Sequence, residues 1–185
     1  SAACASDWVE VVGAVGRSVT FFLPSMDTST AWSFHNEVIV TVKFGSPPEV
    51  TFFDDNYKSR LTFPENGSAL TISQLRMDDV GTYTAKRTGA KTSFALRVYR
   101  ELAVPTVTCL AQNCSADGCR YTLHCAASGS SSGNISYSWS VGGRLSEGPT
   151  VLVEESPPDE LPLTCTARNP VSSRNATVIS PAALC

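Results

Sequence analysis

Apolar residues recur at every second position in short runs along the chain, the period of strands that bury one face. In Arg17-Ser18-Val19-Thr20-Phe21-Phe22-Leu23 the inward set is Val19, Phe21 and Leu23. Residues 8–23 read as paired edge and core strands, and 31–35, carrying Trp32, as the next strand. The chain then turns at Asn36-Glu37 and returns over 38–44. Gly45-Ser46-Pro47-Pro48 breaks the pairing, 50–53 is a short strand, and 60–63 leads through Asn66-Gly67 into 69–72. Residues 82–87 and 92–98 close the sheet around Thr88-Gly89-Ala90-Lys91. Residues 99–105 contain no glycine or serine and read as a stiff elbow. Beyond it stand Cys125, Trp139 and Cys165.

These runs are punctuated by Asp79-Val80-Gly81-Thr82-Tyr83-Thr84-Ala85. In an immunoglobulin-type sandwich the same motif ends in cysteine, and its tyrosine turns back onto the preceding corner. Here the two inter-sheet cysteine positions hold Leu23 and Ala85, so the first sandwich is expected to close by apolar packing around Trp32. From Leu23 to Ala85 is 62 residues, room for the two extra strands of a variable-type domain. From Cys125 to Cys165 is 40, the length of a constant-type one, with Leu163 in the place of the corner tyrosine. The expected fold is all-β: two tandem immunoglobulin-like sandwiches, a variable-type recognition domain over 1–101 and a disulfide-bonded constant-type stalk over 102–185. Arg60 and Asp79 are placed to pair across the bottom of the first.

Composition narrows the function. Among 185 residues, 17% are charged and the net charge is −3, which gives no argument for nucleic acid or an anionic membrane as partner, and neither is expected. No stretch approaches the roughly 20 apolar residues of a spanning helix and the N-terminus has no leader profile, so the chain reads as a mature ectodomain whose membrane anchor lies outside it. Seven cysteines and four sequons, Asn66, Asn113, Asn134 and Asn175, point to an oxidising secretory compartment. Cys125 with Cys165 is the bridge that the Cys…Trp…Cys spacing specifies. Cys119 with Cys185 would tie the domain's entry to its exit, leaving Cys109 and Cys114 for a local bridge and Cys4 without an evident partner. A zinc site at Cys114, Cys119, His124 and Cys125 is the competing reading, but paired metal-ligand spacings are missing.

Catalytic chemistry finds little support. Only His35 and His124 are of the side-chain type that serves as a base near neutral pH, and alternation turns His124 outward beside a bridge cysteine. Asp54 and Asp55, adjacent on an extended strand, point to opposite faces. The expectation is a protein that is not an enzyme, with no cofactor, no metal and no small-molecule substrate.

Several segments together resemble one family: Gly16-Arg17-Ser18-Val19-Thr20, Leu75-Arg76-Met77-Asp78-Asp79-Val80-Gly81-Thr82-Tyr83, Val98-Tyr99-Arg100-Glu101-Leu102, Tyr137-Ser138-Trp139 and, most specifically, Thr164-Cys165-Thr166-Ala167-Arg168-Asn169-Pro170-Val171-Ser172. They are similar to the ectodomains of the signalling lymphocytic activation molecule (SLAM) family. The resemblance implies a variable-type domain without an inter-sheet disulfide, then a constant-type domain with two, the second joining Cys119 to Cys185. It also implies recognition between immune cells through the front sheet of the first domain, by the same protein or another family member. A lipid-anchored ligand, or a secreted or viral homologue acting as a decoy for a host receptor, is the alternative.

Alternation assigns Ser33, His35, Thr84, Lys86, Ser93, Ala95 and Arg97 to the outer front face, joined by Glu37, Thr41, Lys43, Thr88 and Lys91 as partner-binding residues. Lys86, Arg87, Lys91 and Arg97 form a basic edge, and Glu49, Asp54 and Asp55 an acidic one opposite. Two such edges meet without like-charge conflict across a two-fold contact, and the basic one equally suits a separate acidic receptor. None of the sequons falls on the predicted front strands, with Asn66 expected on the far side.

Overall fold

A computed structural model describes residues 5–24, 29–127, 134–155 and 162–185, and Cys4 lies outside them. The chain divides into two compact units, Ser1–Tyr99 and Arg100–Cys185.

The first unit is built from β1 (Ala5–Ala14), β2 (Val19–Phe22), β3 (Thr30–Phe34), β4 (Glu37–Lys43), β5 (Glu49–Phe52), β6 (Leu61–Thr62), β7 (Ala69–Ile72), β8 (Gly81–Arg87) and β9 (Ala90–Tyr99). One sheet has the order β1-β9-β8-β3-β4-β5 and the other β2-β7-β6. Their inner faces enclose a stack of rings: Phe21 lies 4.8 Å from Phe94, 5.3 Å from Tyr83 and 6.0 Å from Trp32 between centroids. Leu23 and Ala85 are buried in the same core, so aromatic packing occupies the space that a disulfide would otherwise span.

At the entry to β8 the chain makes a tight corner. The Tyr83 hydroxyl donates to the Asp79 carbonyl at 2.8 Å, and the Arg60 guanidinium donates to both Asp79 carboxylate oxygens at 2.7 and 2.9 Å. Gly81 keeps this corner open: its φ is +151°, and a Cβ there would stand 2.7 Å from the Phe34 ring.

Two turns differ from the sequence expectation. The β3–β4 turn is His35-Asn36, with φ of 53° and 64°, and Glu37 opens β4. Positive φ at both positions matches the right-handed strand twist, and asparagine tolerates it well. Similarly β9 begins at Ala90, because Gly89 at φ 75° closes the β8–β9 hairpin in two residues, Thr88 and Gly89.

The second unit comprises β10 (Thr106–Ser115), β11 (Gly118–Ala126), β12 (Ser136–Val141), β13 (Arg144–Glu147), β14 (Thr150–Glu155), β15 (Leu163–Asn169) and β16 (Ser172–Val178). Its sheets run β10-β11-β14 and β13-β12-β15-β16. Trp139 and the Cys125–Cys165 bridge are buried between them, with the indole N–H donating to the Pro149 carbonyl at 2.9 Å. The other pairings correct the expected ones: Cys109 bonds Cys185, and Cys114 bonds Cys119. The reason is register. Cys114 stands directly across the β10–β11 ladder from Cys119, whereas Cys109 lies near the far end of β10, within reach of the chain's last turn. All three sulfurs of the alternative zinc set are therefore committed to disulfides.

Candidate recognition face

The outer surface of the six-stranded sheet follows from register. On β8, Tyr83, Ala85 and Arg87 point inward, leaving Thr82, Thr84 and Lys86 outward. Pairing then brings Thr84 opposite Ser93 and Lys86 opposite Lys91 on β9, and Ser33 and Ala31 opposite Thr84 and Lys86 on β3. A bulge between Trp32 and Ser33 shifts the next pairing, so that Val38 faces Ser33 while Thr41 faces Ala31. Beyond β4, Thr51 stands across from Thr41 and Glu49 across from Lys43. On the other flank β1 runs parallel to β9, placing Trp8 beside Ser93, Glu10 beside Ala95 and Val12 beside Arg97. The result is a low floor of small side chains between two apolar rims, Trp8 at 61% exposure on one side and Phe53 at 64% on the other.

Most sequence-assigned residues lie on this face, with five corrections. Arg87 is 9% exposed, because it shares the inward register of Tyr83 and Ala85; its guanidinium donates to the Thr92 hydroxyl at 3.1 Å and adds nothing to the basic surface. Ser93 faces outward but is only 6% exposed. It sits in an interior strand, its hydroxyl 3.4 Å from that of Thr84, so taller neighbours cover it. His35 belongs to the turn at the sheet's end, its ring 3.9 Å from that of Phe34, and Thr88 belongs to the hairpin at the opposite end. Finally, the basic strands are not the edge. The edge is β1, which carries Asp7 and Glu10.

What remains basic is a pair: Lys86 and Lys91, both exposed and directly opposed across β8 and β9. Like charges placed so are unfavourable for the sheet itself. Glu37, Lys43 and Arg97 are also exposed. Trp8, Val38 and Phe53 were not legible as face residues, since apolar residues in strand patterns are normally assigned to the core.

The sequons distribute unevenly. Asn66 is exposed in the short turn before β7, but its carbonyl accepts from Gly45 N–H at 3.0 Å. That contact puts it at the rim near the β4–β5 connection rather than on the far side. Asn113, Asn134 and Asn175 are exposed in the second unit.

At the foot of the first unit lies the buried group of Arg60, Asp79, Tyr57 and Tyr83. Burial, reinforced by the charge of Asp79, raises the Tyr57 hydroxyl above its ordinary range. Burial raises that of Tyr83 further, with Tyr57 and Asp79 adding to it. Both phenols stay protonated and act as hydrogen-bonding structure, and the guanidinium is held by Asp79, by the Gln74 carbonyl at 3.5 Å and over the Tyr57 ring.

No family model matches the chain. It is 33% identical to mouse SLAM family member 5 over 177 residues, covering 90% of this chain and 53% of that protein. It is 33% identical to human SLAM family member 5 over 97% of this chain and 55% of that protein. Human SLAM family member 7 is 28% identical over 95% of this chain. The chain thus spans about half the length of these relatives. Among solved structures, the CD2-binding domain of CD58 superposes with a TM-score of 0.65 at 18% identity, covering 95% of this chain and 97% of that one. Murine CEACAM1b gives 0.63 at 17%, covering 91% and 94%. These two show the fold, an all-β immunoglobulin-like one. The homologues of this chain are thus SLAM family members, at about a third identity over nine-tenths of its length.

Proposed function

We propose that the chain is the extracellular recognition part of an immune cell-surface receptor. Residues 1–101 act as a variable-type domain, and 102–185 as a constant-type domain that carries it. The partner is a protein on an opposing cell, either a second copy or another SLAM family member, and it docks on the outer surface of the six-stranded sheet. One observation carries this reading: Lys86 and Lys91 are held directly opposite each other beside a floor of small residues. That arrangement costs the isolated sheet and is relieved by an acidic partner surface. Glu49 on the far edge strand offers such acid in a second copy, across a two-fold contact. The family relationship supports a protein partner, and the four sequons support surface display or secretion.

The test is adhesion or sedimentation with Lys86→Glu. Its binding should weaken by about tenfold at low ionic strength, the loss of one close opposite-charge contact, and the gap from the parent should shrink as salt screens the pair. Equal binding of variant and parent at low salt moves the docking site off this strand. A soluble decoy is the second reading; tight binding to a host family receptor with no self-association would favour it.

A further inference from the structure

Asn113 begins the sequon Asn113-Cys114-Ser115, and its middle residue is bridged to Cys119. The two cysteines are partners across the β10–β11 hairpin, with Cα atoms 4.0 Å apart, while Asn113 pairs with Arg120 and Ser115 with Gly118. The acceptor triplet is thus held in a ladder on one side and clamped at its centre by a covalent tie. Asn113 is exposed, so space is not the obstacle. Backbone freedom is.

Transfer of a glycan to asparagine requires the acceptor segment to enter the transferase as unpaired chain. The side-chain amide nitrogen bonds C1 of a lipid-linked oligosaccharide, the bond from C1 to the lipid pyrophosphate breaks, and the amide proton passes to a base of the transferase. Bridge formation consumes a different supply. A thiolate attacks a disulfide-bearing oxidant, the second thiolate displaces the mixed disulfide, and the oxidant leaves as its dithiol. Only five positions separate the two cysteines, so little chain entropy opposes closure.

We propose that these two reactions compete at this hairpin: Asn113 is open to glycosylation only while the Cys114–Cys119 bridge is open. Closure removes the acceptor, so mature molecules carry a glycan at Asn113 in a fraction set by that race. The other three sequons, Asn66-Gly67-Ser68, Asn134-Ile135-Ser136 and Asn175-Ala176-Thr177, contain no cysteine and are exempt.

The experiment is glycopeptide mass spectrometry on the chain secreted from cultured animal cells, comparing the parent with Cys119→Ser, which keeps the sequon intact. Asn113 occupancy should be partial in the parent and several-fold higher in the variant, with Asn66, Asn134 and Asn175 unchanged. Should the variant be retained as misfolded, a brief pulse of dithiothreitol during synthesis of the parent gives the same rise. Full occupancy in the parent, or equal occupancy with the bridge present and absent, overturns the proposal.

Discussion

Arg60→Ala is expected to destabilise the residue 1–99 unit by about 3–5 kcal/mol, because it strands a buried carboxylate. Arg60 and Asp79 are 6% and 2% exposed and meet in a two-pronged contact at 2.7 and 2.9 Å. Asp79 also accepts from the Arg76 backbone N–H at 2.8 Å, so its loss also leaves the corner without its tie. Removing both charges together, as Arg60→Met with Asp79→Leu, should cost less than the two single losses added, since neither partner then stays buried alone. Denaturant unfolding of the four proteins gives the coupling directly. Additive losses would mean the pair is mere packing.

The same pair fixes an acid dependence. Burial works to raise the Asp79 carboxyl, but the Arg60 guanidinium and the Arg76 N–H outweigh it and hold the group below the usual carboxylate range. With the folded value below the unfolded one, the unfolded chain binds the proton first. The contribution is therefore complete above the ordinary aspartate range and disappears as pH falls through the folded value. Asp79→Asn should be less stable at neutral pH and lose less on acidification.

The elements that could be read from sequence were those set by local alternation. Val19, Phe21 and Leu23, the Tyr83 corner and the Arg60–Asp79 pair depend on period-two burial and fixed spacing, and both survive any detail of the turns. Arg87 shows where such reading stops. Charge assigned it to the surface, yet its place in the Tyr83, Ala85 series already gave it an inward register. The disulfides needed information of another kind: which of Cys109, Cys114, Cys119 and Cys185 meet is decided by cross-strand register and by the last turn of the chain, neither of which spacing specifies. The Trp8 and Phe53 rims escaped notice for the opposite reason. Each sits at a sheet flank with no second layer above it, and the apolar pattern alone does not distinguish a flank from a core.

Phe21→Ala is the substitution expected to cost the first unit most among its packing residues, about 3–5 kcal/mol. Phe21 is fully buried and touches three other rings, so truncation opens a cavity that flanking strands cannot collapse to fill. Phe22, its neighbour, is 65% exposed, and Phe22→Ala should change stability by no more than about 0.5 kcal/mol. The contrast extends to reductant, since all three disulfides among the described residues lie in 100–185. Hydrogen exchange read peptide by peptide should show dithiothreitol exposing strands β11 and β15 while β8 and β9 keep their protection. Phe21→Ala should do the reverse. If reduction opened β8 and β9 as readily as β15, rings would not be what closes the first sandwich.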